Sequence, residues 1–221
     1  MSHQEKRIAQ ALLEISAVGF RPESPLTFKS GIISPVYVDN RRFPFYPQQW
    51  RLVITGFQEL LKNEQLEFDI LAGIETAGIP HSAALEYALQ RPSVFVRKKI
   101  KDHGTKSRIE GGSVAGKKVL LIEDLVTTGM SSLAGVQALR QDGAQVDDCL
   151  VIVSYGFAEA RAAFAQAKVH LHTLTQFPII LEEALRLQKI TSAQKVLIDD
   201  WFADPWGWAE RHGFGKSERQ K

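Results

Sequence analysis

Apolar positions follow two rhythms along this chain. Residues 5–17 carry Ile8, Leu12, Leu13 and Ile15 at helical spacing, and Gly19 follows as the expected stop. LTFKSGIISPVYVDN, residues 26–40, is short, β-branched and broken by Gly31 and Pro35, which predicts a strand pair joined by a turn. A second helix is predicted over 47–62. From Phe68 onward the rhythm becomes regular. Residues 68–73, 93–98, 117–124, 145–155 and 169–175 read as strands, and 79–89, 131–141 and 158–166 read as helices between them. Strand and helix alternating at this spacing predict an α/β fold: an open, mainly parallel sheet flanked by helices. Residues 1–45 read as a small N-terminal hood on one main unit, 46–185 as its core, and 186–221 as a helical C-terminal extension. In that extension a helix begins near Thr191 and WFADPWGWAERHGF follows.

Composition adds exclusions. The 221 residues are 44% hydrophobic and 24% charged, ample apolar mass for a core. A formal charge of +2 is small for a dedicated nucleic-acid coat. Cys149 is the sole cysteine, so an intrachain disulfide framework or a multi-cysteine zinc site is excluded, and its run CLVIV predicts a buried thiol. No apolar run approaches the ~18 residues of a membrane span. The spaced apolar residues of MSHQEKRIAQALLEI argue against a signal peptide. A cytoplasmic chain without membrane or nucleic-acid partners is the expectation.

The most informative segment is VLLIEDLVTTGMSS, 119–132. Four apolar residues make a buried parallel strand, with Glu123 and Asp124 at its carboxyl end, and Thr127, Thr128, Gly129, Met130 and Ser131 turn into a helix. Ligands of open α/β sheets bind beyond the carboxyl ends of the strands. A helix start there offers free N–H groups and partial positive charge to a phosphate. The two carboxylates would repel that phosphate but suit vicinal ribose hydroxyls or the water shell of Mg2+. A phosphate beside a diol describes a ribose 5-phosphate. The bland alternative is a capped helix beside two solvated acids. A second motif, GGSVAGK at 111–117, has P-loop spacing, but Lys118 stands where Ser or Thr is required, and the loop precedes a strand rather than a helix.

RKKIKDHGTKSRIEGG, 97–112, is the other signal. It holds six basic residues, one acid and His103 between Arg97 and Arg108, with Gly104, Gly111 and Gly112. It joins two predicted strands and reads as a cationic lid able to close over a polyphosphate. A solvated hairpin or nucleic-acid contact is the competing reading, weakened by the lack of interleaved aromatics.

These residues together resemble the type I phosphoribosyltransferases, and within them the orotate phosphoribosyltransferases. IEDLVTTG resembles the signature for 5-phosphoribosyl 1-diphosphate. RKKIKDHG with IEG resembles the orotate family's catalytic loop, FKSGIISPVYVDN its substrate hood, and DILAGIETAGIP its pyrophosphate loop. The match spans about 12–185. The resemblance implies transfer of ribose 5-phosphate to N1 of orotate, giving orotidine 5'-phosphate and diphosphate in UMP biosynthesis. Lys101, His103 and Asp124 are then catalytic. Lys29, Arg97, Lys98, Glu123, Asp124, Leu125, Val126, Thr127, Thr128, Gly129, Met130 and Ser131 bind substrate, with Tyr37 and Val38 on the orotate side. Mg2+ is the implied cofactor, held mainly by the sugar diphosphate rather than by protein ligands. A homodimer with shared sites is the implied assembly. The chain departs from the pattern at two places. Ala77 stands where some members carry lysine, and SYGFAEA, 154–160, lacks an arginine that contacts orotate; Lys29 is the replacement candidate for holding the orotate carboxylate. The rivals are a phosphoribosyltransferase for another base, or a non-catalytic nucleic-acid-binding regulator of the same fold. Trp201, Trp206 and Trp208 read as packing residues. His81, His170 and His172 lack acidic or Cys partners at metal-ligand spacing and read as structural or surface residues.

Overall fold

The computed structural model describes residues 2–98 and 107–218. Helix α1, His3–Glu14, opens with a capping box in which Ser2 and Glu5 satisfy each other's backbone N–H groups. Four short strands follow: β1 (Val18–Phe20), then β2 (Leu26–Thr27) paired antiparallel with β3 (Ile33–Ser34), then β4 (Val36–Val38) paired with β1. The expected strand pair is therefore β2 and β3, and VYV instead joins β1, which local pattern did not reveal. Gly19 is not the stop of the first helix. It faces Tyr37 in the β1–β4 register, and any side chain there would occupy the Tyr37 ring. The helix ends earlier, at Glu14, where Ile15 caps it and Ser16 turns to φ +54°.

A 3-10 turn, Asn40–Phe45, leads into α2, Pro47–Asn63, which starts with proline where no intrahelical N–H is needed. The main unit then runs β5 (Ile70–Ile74), α3 (Gly78–Leu89), β6 (Ser93–Val96), β7 (Ile109–Glu110), β8 (Val119–Val126), α4 (Met130–Gln141), β9 (Asp148–Ser154), α5 (Ala158–Gln166) and β10 (His170–Gln176). Helix α6 (Phe177–Arg186) follows β10 without a loop; α7 (Ser192–Ala203) and α8 (Trp208–Arg211) form the extension. The sheet order is β10-β9-β8-β5-β6-β7, parallel except for β6–β7. Strand β7 was not expected: the basic segment returns to the sheet as an antiparallel edge strand before reaching β8. Helix α6 also went unseen, because its FPIIL run continues the apolar strand before it.

Side chains alternate across this sheet. Leu71, Leu120, Ile122, Leu150 and Ile152 join α1, α2, α6, α7 and the hood in one core. Ile70, Ala72, Ile74, Leu121, Cys149 and Val151 join α4 and α5 in the other. Both faces are covered, so the strands read as continuous apolar runs rather than alternating ones. Trp201 and Trp208 are fully buried in the first core, and Cys149 is buried in the second. The chain goes outward from β5 to β6, then crosses back to β8 on the other side of β5. The topological switch lies between β5 and β8, and a crevice opens beyond their carboxyl ends.

Candidate functional site

That crevice is a cleft of about 640 Å³. The hood contributes Lys29, Val38, Asp39 and Arg41; the loop after β5 contributes Glu75, Thr76 and Ala77; β8 contributes Glu123, Asp124 and Leu125. Lys98, Arg108, Met130 and Ser131 complete the walls. A smaller hollow of about 210 Å³ adjoins it, lined by Phe28, Lys29, Ser30, Leu125 and the turn Thr127 to Ser132. The Glu75–Thr76 peptide is cis, and Glu75 accepts the Lys98 backbone N–H at 2.8 Å.

Strand β8 runs two residues further than expected, because its ladder with β9 continues through Leu125↔Val153 and Val126↔Ser154. Glu123 and Asp124 therefore lie within a strand, where the backbone cannot swing them into water. Glu123 is buried and its Oε1 accepts the Asp124 N–H at 3.2 Å. Burial, and then the neighbouring Asp124 carboxylate, hold the Glu123 carboxyl well above the usual range. Burial also raises Asp124, against the opposing pull of its hydrogen bonds and of Arg41. One buried and one half-buried acid at the mouth of a cleft are poised for donors: hydroxyl groups or a hydrated cation.

Beyond them the chain turns through Thr127, Thr128 and Gly129 into α4. Gly129 adopts φ +84°, and no side chain caps the helix start. The uncapped first turn of α4, with Met130 and Ser131 on the cleft wall, brings free N–H groups and the positive end of the helix dipole to the cleft. The acid pair and the uncapped helix start thus sit side by side, contributed by one strand–turn–helix.

The expected site residues divide into three sets. Lys29, Lys98, Glu123, Asp124, Leu125, Met130 and Ser131 line the cleft, and Thr127, Thr128 and Gly129 line the hollow beside it. Arg97 and Val126 do not face the cleft. The Arg97 guanidinium pairs with Glu110 at 3.1 Å on the sheet edge, and Val126 is buried, its carbonyl taking the Tyr155 N–H. Lys101 and His103 lie outside the described residues. Asp39 and Arg41 were missed as individual cleft residues, while Glu75 and Arg108 lie in the expected pyrophosphate loop and cationic lid. The Asp39–Arg41 ion pair, 2.6 Å, was signalled only by the charges of VDNRR just after a strand. Arg108 is held by the Arg97 carbonyl at 2.7 Å and the Ala134 carbonyl at 3.2 Å.

His170 and His172 face one acid across the strand pair. Asp148 on β9 lies 2.8 Å from His172 Nε2 and 3.5 Å from His170 Nδ1. The pairing crosses strands, so spacing along the chain concealed it. Among the described residues no group of three or more His, Cys, Asp or Glu side chains is arranged to hold a metal ion, and no helix is long and apolar enough to cross a membrane.

Residues 47–170 match the phosphoribosyl transferase domain family. The orotate phosphoribosyltransferase of Coxiella burnetii is 39% identical over 206 residues, covering 93% of this chain and 99% of that protein. The chain belongs to the orotate phosphoribosyltransferase family. The solved orotate phosphoribosyltransferase of Aeropyrum pernix matches it with TM-score 0.72 at 29% identity, over 83% of this chain and 99% of that one. The UMP synthase of Leishmania donovani matches with TM-score 0.79 at 28% identity, over 90% of this chain; the chain spans 42% of that protein. For an orotate phosphoribosyltransferase, the two departures have clear surroundings. Ala77 sits at the start of α3 on the cleft wall without a cation. The arginine nearest the 154–160 run, Arg161, donates to the Gly156 carbonyl and lines a separate cavity of about 540 Å³.

Proposed function

We propose that this chain transfers ribose 5-phosphate from 5-phosphoribosyl 1-diphosphate to N1 of orotate, releasing diphosphate and supplying orotidine 5'-phosphate for UMP synthesis. The observation that carries the reading is the pair of buried Glu123 and half-buried Asp124 beside the uncapped start of α4, at the switch point of the sheet. The 5-phosphate takes the Thr127 to Ser131 turn, and the carboxylates accept the ribose hydroxyls. The C1–oxygen bond to diphosphate breaks as the bond from orotate N1 forms on the opposite face, and the N1 proton leaves to solvent. Positive charge develops on the ribose near Asp124. Negative charge leaves with the diphosphate, toward Lys98 and the cationic segment with Lys101 and His103. Lys29, with the hood backbone near Tyr37 and Val38, holds the orotate side.

Asp39, Glu75, Glu123 and Asp124 line the same cleft without gathering into a metal cage, so a hydrated Mg2+ would be carried mainly by the substrate diphosphate, its water shell facing these oxygens. Mg2+ so bound supplies positive charge that offsets the leaving group. The hood at 1–45, the core at 46–185 and the extension at 186–221 act as one catalytic unit, in a cytoplasmic homodimer where each cationic segment completes the partner's site.

The test is spectrophotometric. Protein, orotate, sugar diphosphate and Mg2+ are mixed, and orotate absorbance falls if the reading holds. Turnover of a purine base or uracil with none of orotate would reassign the acceptor. Nucleic-acid binding in a gel shift without any transferase activity would favour a non-catalytic regulator.

A further inference from the structure

Asn40 is fully buried and polar, and it stands between Asp39 and Arg41, which both line the cleft. Its Nδ2 donates to the main-chain carbonyl of Asp124 at 2.7 Å, joining positions 84 residues apart. Its Oδ1 is buried without a partner. A half-satisfied buried amide is costly, and a leucine would fill similar space without that cost. The hydrogen bond, rather than packing, is therefore what this side chain contributes.

The position explains the need. Strand β5 pairs with β8 only as far as Gly73↔Ile122, while the ladder with β9 continues. Asn40 supplies β8 with a partner two residues past the point where β5 stops. The turn that carries Asn40 is itself well seated. Phe43 in that turn is buried against the His81 ring, and His81 accepts the Trp50 indole N–H at 3.0 Å. The Asn40 amide also favours the ionised Asp124 carboxyl, alongside the Glu123 hydrogen bond and Arg41 and against burial, while Lys98 acts on Glu123.

We propose that Asn40 is a positioning residue: it fastens the hood segment bearing Val38, Asp39 and Arg41 to the Asp124 backbone, setting the gap between the base side and the ribose side of the site. The inference rests on Asp124 being a ribose ligand. Asn40 touches no reacting atom, so its effect passes through Asp124 and the hood.

The test uses the full chain with Asn40→Leu and, as a control in the same turn, Phe43→Leu. Calorimetry in Mg2+ buffer reads binding of the sugar diphosphate, which needs no acceptor base, so this arm stands even if orotate proves not to be the substrate. Steady-state turnover and melting temperature are read in parallel. Asn40→Leu should weaken sugar-diphosphate binding about tenfold and lower kcat/KM by about ten- to a hundredfold, the scale of a misplaced catalytic geometry. Phe43→Leu should lower the melting temperature at least as much while binding stays within twofold of wild type. If Asn40→Leu does not fold, Asn40→Ser, too short to span the 2.7 Å bond, is read the same way. Binding within twofold of wild type in the Asn40 variant overturns the proposal. So does equal weakening in Phe43→Leu, which would make Asn40 merely one more support of the turn.

Discussion

The ring of Phe164 closes against Gly129: a Cβ on that glycine would stand 2.9 Å from Phe164 Cε2. Gly129 also adopts φ +84°, where an L side chain costs about 1–2 kcal/mol. Crowding and backbone strain coincide at the phosphate turn. Gly129→Ala should lower the melting temperature and raise the KM for the sugar diphosphate about tenfold or more. Adding Phe164→Leu should restore part of the melting temperature but not the KM. A KM unchanged in Gly129→Ala would remove the turn from the phosphate subsite.

Asp124 tests the ribose assignment. Asp124→Asn preserves shape and removes one charge-assisted acceptor worth about 1.5–3 kcal/mol. Activity should fall by roughly ten- to a hundredfold with the melting transition retained. Unchanged turnover and KM would refute the role.

Glu123 tests the cost of keeping an acid in that place. Its carboxyl is raised by burial above the ordinary 4.5. Protonated Glu123 contributes its full stability below pH 4.5, and that contribution is lost as pH rises through the folded value. Glu123→Gln carries no such loss. The variant should therefore be more stable than wild type toward urea at pH 7 and 8, and no more stable at pH 4, while binding the sugar diphosphate more weakly. A variant less stable at neutral pH would contradict the sign.

His81 has the opposite dependence. Burial lowers it from 6.5 to about 4, and its Nδ1 accepts from Trp50, so it is neutral in the fold. The unfolded chain binds a proton in this window and the fold does not. Stability is thus complete above pH 6.5 and falls as pH drops toward 4, by an amount on the order of 3 kcal/mol. Urea midpoints measured across that range should fall more steeply in wild type than in His81→Gln. Parallel curves would show that another group sets the acid limb.

The shared site can be tested by mixing two damaged proteins. Lys101→Ala and Asp124→Asn should each be nearly inactive. Unfolded together and refolded, they form heterodimers with one doubly damaged and one intact site, so random pairing restores roughly a quarter of wild-type sites. If each cationic segment serves its own subunit, no intact site forms, and heterodimers confirmed by mass will stay inactive.

Much of this protein is written locally. The five main strands read directly, β5, β8 and β9 because burial on both faces makes each a mainly apolar run, and α5 matches its expected span of 158–166. The acid pair, turn and helix start were legible for the same reason: one contiguous strand–turn–helix carries them. What depends on residues far apart was not legible. Gly19 takes its meaning from Tyr37, Asp148 from His170 and His172, and Arg97 from Glu110 across an edge hairpin whose second strand has only two residues. Periodicity cannot report a strand that short, nor a hydrogen bond such as Asn40 to Asp124 that spans 84 positions. The chemistry was therefore set by a short run of adjacent residues, whose geometry follows from backbone conformation alone. Which cations face that chemistry, and how the hood is held above it, only the tertiary structure decided, because those contacts exist only once the sheet has brought distant segments to one edge.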